Sequence, residues 1–155
     1  MTVTILPFSE QHAPIFDRLN RAWIEEFFTI EPFDDLVLTQ PEKMILATGG
    51  EIWFAALNSN VVGAAALLPF GEGVFEFTKL GVDENARGAG VARALLHHCR
   101  MRATQKGAHT LKIFTSRRLL AANALYQSTG FIEVEMSPAQ KTRYARADVM
   151  YDLPL

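Results

Sequence analysis

The stretch Leu80-Gly81-Val82-Asp83-Glu84-Asn85-Ala86-Arg87-Gly88-Ala89-Gly90-Val91-Ala92-Arg93-Ala94-Leu95-Leu96 reads as a strand that runs into a glycine-rich loop and then opens a helix. Backbone N–H groups in the first turn of a helix have no intrahelical acceptor, and the helix dipole adds partial positive charge there. An anion can therefore be held largely by main chain. Gly88 and Gly90 let the backbone come close to a diphosphate, and Arg87 adds a charge-assisted contact. A glycine-rich connection also occurs between strands and helices that bind nothing, so the neighbouring elements have to carry the rest of the argument.

The chain has 155 residues, enough for one domain over residues 1–155 with a single substantial core. Its formal net charge is −2, so the total gives no reason to expect nucleic acid or an anionic membrane surface as partner. Arg and Lys do gather between residues 87 and 112 and at Arg117 and Arg118, a pattern that suits a small polyanionic ligand better than a duplex. The single cysteine, Cys99, excludes an internal disulfide and a multi-cysteine metal site, and its neighbours Leu95, Leu96 and Ala103 mark it as a small core residue. His97 and His98 adjoin on one helix and point apart, which makes them a poor metal pair, so no metal site is expected. The N-terminus lacks a basic segment followed by an apolar one, and the most apolar stretch, residues 61–70, is short and broken by Gly63 and Pro69. A soluble cytoplasmic protein is the expectation.

Residues 3–6 predict a short strand, after which Ser9 caps a helix with Ile15, Leu19, Ala22, Trp23 and Phe27 at helical spacing. Residues 28–41 fit a second, shorter helix and a loop. Residues 51–57 and 61–68 form a hairpin across Asn58-Ser59-Asn60, and Gly71-Glu72-Gly73 turns the chain into a third strand over 74–82. A helix over 91–106 follows, then a strand over 109–114, a helix over 119–129 stopped by Gly130, a strand over 131–136, a loop over 138–143 and a final strand over 147–153. An antiparallel meander leading into a β-α-β unit, a further helix and a terminal hairpin gives a mixed α/β sheet with helices on both faces.

The strand over 74–82 contains an irregularity. Phe75 and Phe77 share one face by period two, whereas Leu80 and Val82 have the opposite parity. Either the strand is buried on both faces, or a β-bulge near Thr78 and Lys79 restores both pairs to one face. The bulge would leave backbone N–H groups near Leu80 for a ligand.

Arg87-Gly88-Ala89-Gly90-Val91-Ala92 matches the acetyl-CoA signature of the GNAT N-acetyltransferase superfamily: Arg or Gln, two residues, Gly, one residue, then Gly or Ala. Residues 75–82 precede it in the position of that family's fourth strand, and Ala121-Ala122-Asn123-Ala124-Leu125-Tyr126-Gln127-Ser128-Thr129-Gly130-Phe131 resembles the family's Asn, Leu-Tyr and Gly-Phe pattern. The resemblance covers nearly the whole chain, the first forty residues in element order only. It departs at Ala89, where a basic residue is frequent, and at Gly81, where a larger side chain is common.

The resemblance implies a mostly antiparallel twisted sheet splayed at strands 4 and 5, and transfer of an acetyl group from acetyl-CoA to a primary amine by direct attack in a ternary complex. The diphosphate would sit on the N–H groups of Arg87, Gly88, Ala89, Gly90, Val91 and Ala92, with the pantetheine arm against Leu80 and Val82. The backbone N–H of Leu80 would donate to the oxyanion, Tyr126 would protonate the departing thiolate, and Asn123 would contact the cofactor arm. An alkylamine, with a pKa of about 10, arrives protonated, and Glu76, on the strand face opposite Phe75 and Phe77, is the candidate base.

For the acceptor, carboxylates at Glu25, Glu26, Glu31, Asp34 and Asp35 stand against a basic group of Lys141, Arg143 and Arg146. An arginine fork from Arg143 or Arg146 holding a carboxylate, while Glu25 or Glu31 steadies the amine, predicts a small amino-acid-like acceptor. Other readings stay open: acetylation of a protein or peptide amine, a CoA-binding sensor without turnover, and solvated surfaces at both charged segments. A nucleotide-binding α/β domain fits poorly, because the loop lacks a Lys-Ser/Thr pair and no early βαβ unit precedes it. A homodimer is one admissible assembly.

Overall fold

In the computed structural model, which describes residues 2–142 and 144–155, strand β1 (Val3–Pro7) pairs antiparallel with β2 (Glu51–Leu57) along its whole length. Asn58 and Ser59 take left-handed conformations, φ 50° and 70°, and turn the chain into β3 (Asn60–Pro69), which returns as β4 (Val74–Val82). After helix α4 (Val91–Gln105) come β5 (Thr110–Thr115), helix α5 (Leu120–Ser128), β6 (Ile132–Val134) and β7 (Val149–Pro154). The seven strands lie in the order β1-β2-β3-β4-β5-β7-β6, antiparallel throughout except for β4 beside β5. This is the mixed, mostly antiparallel sheet that the sequence predicts, and β7 takes its place between β5 and β6 as the inner strand of the terminal hairpin.

Period-two alternation sorts the apolar residues of the central strands to two cores. Ala55, Leu57, Ala65, Leu67 and Phe77 pack with Leu95, Cys99 and Ala103 of α4 and with Tyr126 of α5. Phe54, Ala64, Ala66 and Leu68 pack on the other face with the helices inserted between β1 and β2, namely α1 (Ala13–Phe27), α2 (Pro32–Thr39) and α3 (Pro41–Met44). Glu51 at the start of β2 ties α4 to the sheet. Its carboxylate accepts from Arg102 Nε at 2.9 Å and Arg102 Nη2 at 2.6 Å, a bidentate pair.

Three expectations need correction. Ser9 makes no capping hydrogen bond; it precedes a 3-10 turn, Glu10–His12, and α1 begins at Ala13 with Pro14 in its first turn. The buried residues of α1 are Phe16, Leu19, Asn20 and Ile24. Asn20 can enter the core because its Nδ2 donates to Phe16 O and its Oδ1 accepts from Trp23 Nε1, and this turns the helix by about one residue from the expected stripe. The penultimate strand is shorter than residues 131–136, because only Ile132 to Val134 find partners on β7.

Gly81 has a packing reason for lacking a side chain. A Cβ there would lie 3.0 Å from the main-chain carbon of Leu19, so α1 rests directly on the backbone of β4. That contact places the end of α1, with Trp23 and Phe27, over the functional end of the sheet.

Candidate active site

β4 and β5 pair over only three positions, Val74 with Thr110, Phe75 with Leu111 and Glu76 with Lys112, and then separate. On its other side β4 slips against β3. Thr78 faces Ala66 and Gly81 faces Ala64, so Lys79 and Leu80 together oppose Ala65. This is the bulge, and Lys79 at its centre has φ 54°, a left-handed conformation that a non-glycine residue adopts at a cost of about 1–2 kcal/mol. Phe75, Phe77, Leu80 and Val82 consequently all pack against the core beneath α4. Between the diverging strands opens a cavity of about 740 Å³, with Phe77, Thr78, Lys79 and Leu80 on one side and Ile113, Phe114, Thr115 and Ser116 on the other.

One end of the cavity is the glycine loop. Gly88 and Gly90 have φ 82° and 80°, and a Cβ on either would meet no atom within 4 Å, so open space lies in front of a backbone that excludes ordinary side chains. Gly90 is the residue before the first turn of α4. The expected run of six N–H donors is reduced to four: Arg87 N–H turns to Glu84 O and Ala89 N–H to Ala86 O, each at 3.4 Å, leaving Gly88, Gly90, Val91 and Ala92. Ala89 does not line the cavity and packs on the core instead. Arg87, Arg93, Leu80 and Val82 do line it.

Tyr126 lines the cavity with a ring that is 5% exposed and packs against Phe131 and Tyr151, both at 5.9 Å between centroids. Burial, aided by the neighbouring Tyr151 hydroxyl, pushes its pKa well above that of ordinary tyrosine. The hydroxyl has no hydrogen-bond partner among the described residues and is not sealed from the cavity. Asn123 does not reach the cavity. Its Nδ2 donates to Ser116 O and to Leu119 O, both at 2.8 Å, and its Oδ1 accepts from Tyr151 Oη at 2.8 Å. Those bonds use both amide hydrogens and one lone pair of the oxygen, so Asn123 fixes the turn between β5 and α5. Leu119, Leu120 and Ala122 of the same segment face the cavity.

The other end holds a buried ion cluster that local sequence patterns do not reveal. Asp34, in the first turn of α2, is 0% exposed and accepts from Lys79 Nζ at 2.7 Å and from Arg146 Nη1 and Nη2 at 2.7 and 2.8 Å. Burial works to raise the Asp34 pKa, yet Arg146 and Lys79 outweigh it and hold the carboxyl far below its usual range. For Lys79 burial dominates and the pKa falls, although Asp34 and Glu76 favour the charged form. Glu31 accepts from Arg146 Nη1 at 3.2 Å and from Ala145 N at 3.1 Å. The Arg146 guanidinium also lies 4.8 Å from the Tyr144 ring and 5.6 Å from the Trp23 ring.

These placements bear on three residues expected at the acceptor and on the expected base. Arg146 lines the cavity but spends its fork on Asp34 and Glu31, and Glu31 spends its carboxylate on Arg146 and the Ala145 amide, so neither is a free ligand for a substrate. Glu25 is exposed on α1 and does not line the cavity. Arg143 lies outside the described residues. Glu76 faces away from Phe75 and Phe77 as alternation requires, but it is 1% exposed and does not line the cavity. The strands open only beyond it, so its placement does not support direct contact with an amine.

Among the described residues no group of three His, Cys, Asp or Glu is placed to hold a metal ion, and no helix is long and apolar enough to cross a membrane. A family profile described as Acetyltransferase (GNAT) domain matches residues 48–133. N-acetyltransferase family 8 member 2 of Rattus norvegicus is 31% identical over 94 residues, 57% of this chain and 42% of that protein. N-acetylaspartate synthetase of Xenopus tropicalis is 34% identical over 87 residues, 56% of this chain and 32% of that protein. The chain thus spans less than half the length of these curated relatives. A GNAT-family acetyltransferase from Staphylococcus aureus superposes with a TM-score of 0.88 at 19% identity, covering 99% of each chain. PaiA N-acetyltransferase from Thermoplasma acidophilum, solved in complex with coenzyme A, superposes at 0.77 with 12% identity over 100% of each chain. At such identities the structural likeness speaks for the fold alone.

Proposed function

The chain belongs to the GNAT acetyltransferase family, and on that premise we propose that it transfers an acetyl group from acetyl-CoA to a primary amine of a small molecule. The observation that carries the proposal is the continuity of one cavity from the Gly88-Gly90 cradle, through the opening between β4 and β5, to Tyr126. Open space in front of two left-handed glycines, four N–H groups that meet no acceptor among the described residues and two arginines form a fitting site for a diphosphate. Acetyl-CoA supplies the acyl group as a thioester.

Gly88, Gly90, Val91 and Ala92 would hold the diphosphate through main chain, with Arg87 and Arg93 beside them. Leu80 and Val82 would line the cofactor arm, and the Leu80 N–H, on a bulge with no β5 strand opposite, is the donor where negative charge develops on the acyl oxygen. The raised pKa of Tyr126 keeps its hydroxyl protonated through the neutral range, the state required to give a proton to a departing sulfur. Cys99 is fully buried, its pKa is pushed up, and it does not line the cavity, which supports direct attack by the amine over a thiol carrier.

A melting-temperature titration with CoA tests the cradle. CoA at about 100 times its Kd is expected to stabilise the wild type by about 2.7 kcal/mol, and Gly90→Val to abolish the shift. Gly107→Val is the control, since Gly107 also has a left-handed φ, 87°, and open space around its Cβ position but does not line the cavity. It should lose stability and keep the CoA response. Equal CoA shifts in the two variants would remove the loop from the proposal.

No carboxylate lines the cavity among the described residues, so the amine has to lose its proton to water. The logarithm of kcat/KM is therefore expected to climb with unit slope to the acceptor's own pKa, about 10 for an alkylamine. A plateau beginning near neutral pH would point to an internal base and restore that role to Glu76.

A further inference from the structure

Every charged side chain lining the cavity among the described residues is a cation: Lys79, Arg87, Arg93, Arg118 and Arg146. Four have an assignment. Lys79 pairs with Asp34 and Arg146 with both Asp34 and Glu31, while Arg87 approaches Glu26 at 4.0 Å across an exposed gap. Arg93 sits in the first turn of α4, beside the Gly90 cradle, and donates to Ser128 Oγ at 3.3 Å.

Arg118 differs from these. It is exposed, lines the cavity from the turn after β5, and meets no carboxylate among the described residues. Its guanidinium stands 5.0 Å from the Phe28 ring at the end of α1. The same ring lies 5.9 Å from the Arg146 guanidinium, which puts Arg118 beside the ion cluster and at the acceptor end. Stacking on Phe28 steadies the guanidinium plane and leaves its N–H fork free.

We propose that Arg118 determines acceptor specificity by binding a carboxylate, and that the acceptor is a primary amine carrying both a carboxylate and an apolar body. The proposal rests on the acetyl-transfer reading and names its substrate class. The charge argument is direct: walls that offer cations and no anions repel a polyamine and attract a group that completes the charge of Arg118. Trp23, Phe27 and Phe114 supply apolar wall at this end, which suits the side chain of an aromatic or branched α-amino acid.

The test measures acetylation of matched pairs, phenylalanine with phenethylamine and leucine with 3-methylbutylamine, together with spermidine, by wild type, Arg118→Gln and Arg118→Lys. Wild type should favour the carboxylated member of a pair by about tenfold or more in kcat/KM, the discrimination expected of a charge-assisted fork. Arg118→Gln should bring the ratio towards one by raising the acceptor KM, with the KM for acetyl-CoA changed by less than about twofold. Arg118→Lys should lie between, because it keeps the charge and loses the fork. Melting temperatures verify that both variants of this exposed residue are folded. A wild-type preference for the decarboxylated amine or for spermidine, an unaltered ratio in Arg118→Gln, or a variant defect confined to acetyl-CoA would overturn the proposal. Failure of every carboxylated amine while CoA still stabilises the protein would overturn it and leave acetyl transfer standing. No CoA response and no turnover of any amine would bring down both.

Discussion

Asp34→Asn is expected to lower stability by about 3–5 kcal/mol in denaturant unfolding at pH 7, the cost of removing one partner from a buried ion cluster. Asp34 is fully buried and holds two cations, Lys79 and Arg146, which repel each other once its charge is gone. It also caps α2 through a bond from Glu31 N at 3.0 Å, a bond that the neutral amide can keep. The deficit should shrink as pH rises. In the variant, Lys79 has a folded-state pKa depressed below its unfolded value, so the unfolded chain binds the extra proton and stability climbs with pH until about 10.4. The wild type changes in the same sense at acid pH, through a different group: the Asp34 pKa is depressed, so its contribution is complete above about 3.9 and is lost as pH falls towards the folded-state value. A loss below about 1 kcal/mol would class the cluster with solvent-exposed pairs.

Tyr126→Phe is expected to reduce kcat by roughly ten- to a thousandfold, with the KM for acetyl-CoA nearly unchanged, because only the proton delivered to the leaving sulfur is lost. The substitution suits the purpose because the ring contacts with Phe131 and Tyr151 remain and the hydroxyl has no partner among the described residues to lose. Folding should be unaffected. Steady-state rates combined with a single-turnover measurement decide the matter, and an unchanged kcat with chemistry rate-limiting would reduce Tyr126 to a packing residue.

Local sequence order carried much of the fold. The parity conflict between Phe75-Phe77 and Leu80-Val82 located the bulge within a residue, because period two is a covalent property of a strand. The Gly88-Gly90 spacing located the cradle for the same kind of reason, a backbone need that few residues meet. What stayed hidden depends on residues distant in the chain. Alternation gave Glu76 its face but could not show that the strands separate only after it. The pairing of Arg146 with Asp34 joins positions 112 apart, and no periodicity marks such a bond. Asn123 followed a motif, while its real partners, Ser116 and Tyr151, are set by how α5 lies on β5 and β7. Lys79 was legible as a bulge residue; its reach to Asp34 was not.

The short contact between β4 and β5 gives the molecule the mechanics of two plates joined by a narrow weld. One plate is β1 to β4, the other β5, β7 and β6, and their strands pair at three positions, Val74–Thr110, Phe75–Leu111 and Glu76–Lys112. Anything seated in the gap bridges both plates and acts as the missing stretch of weld. CoA should therefore slow amide hydrogen exchange on both sides of the gap, at residues 80–82 and 113–115, and through them stiffen the sheet as a whole. Protection confined to residues 80–82 would mean that the ligand is fastened to one plate and leaves the other as loose as before.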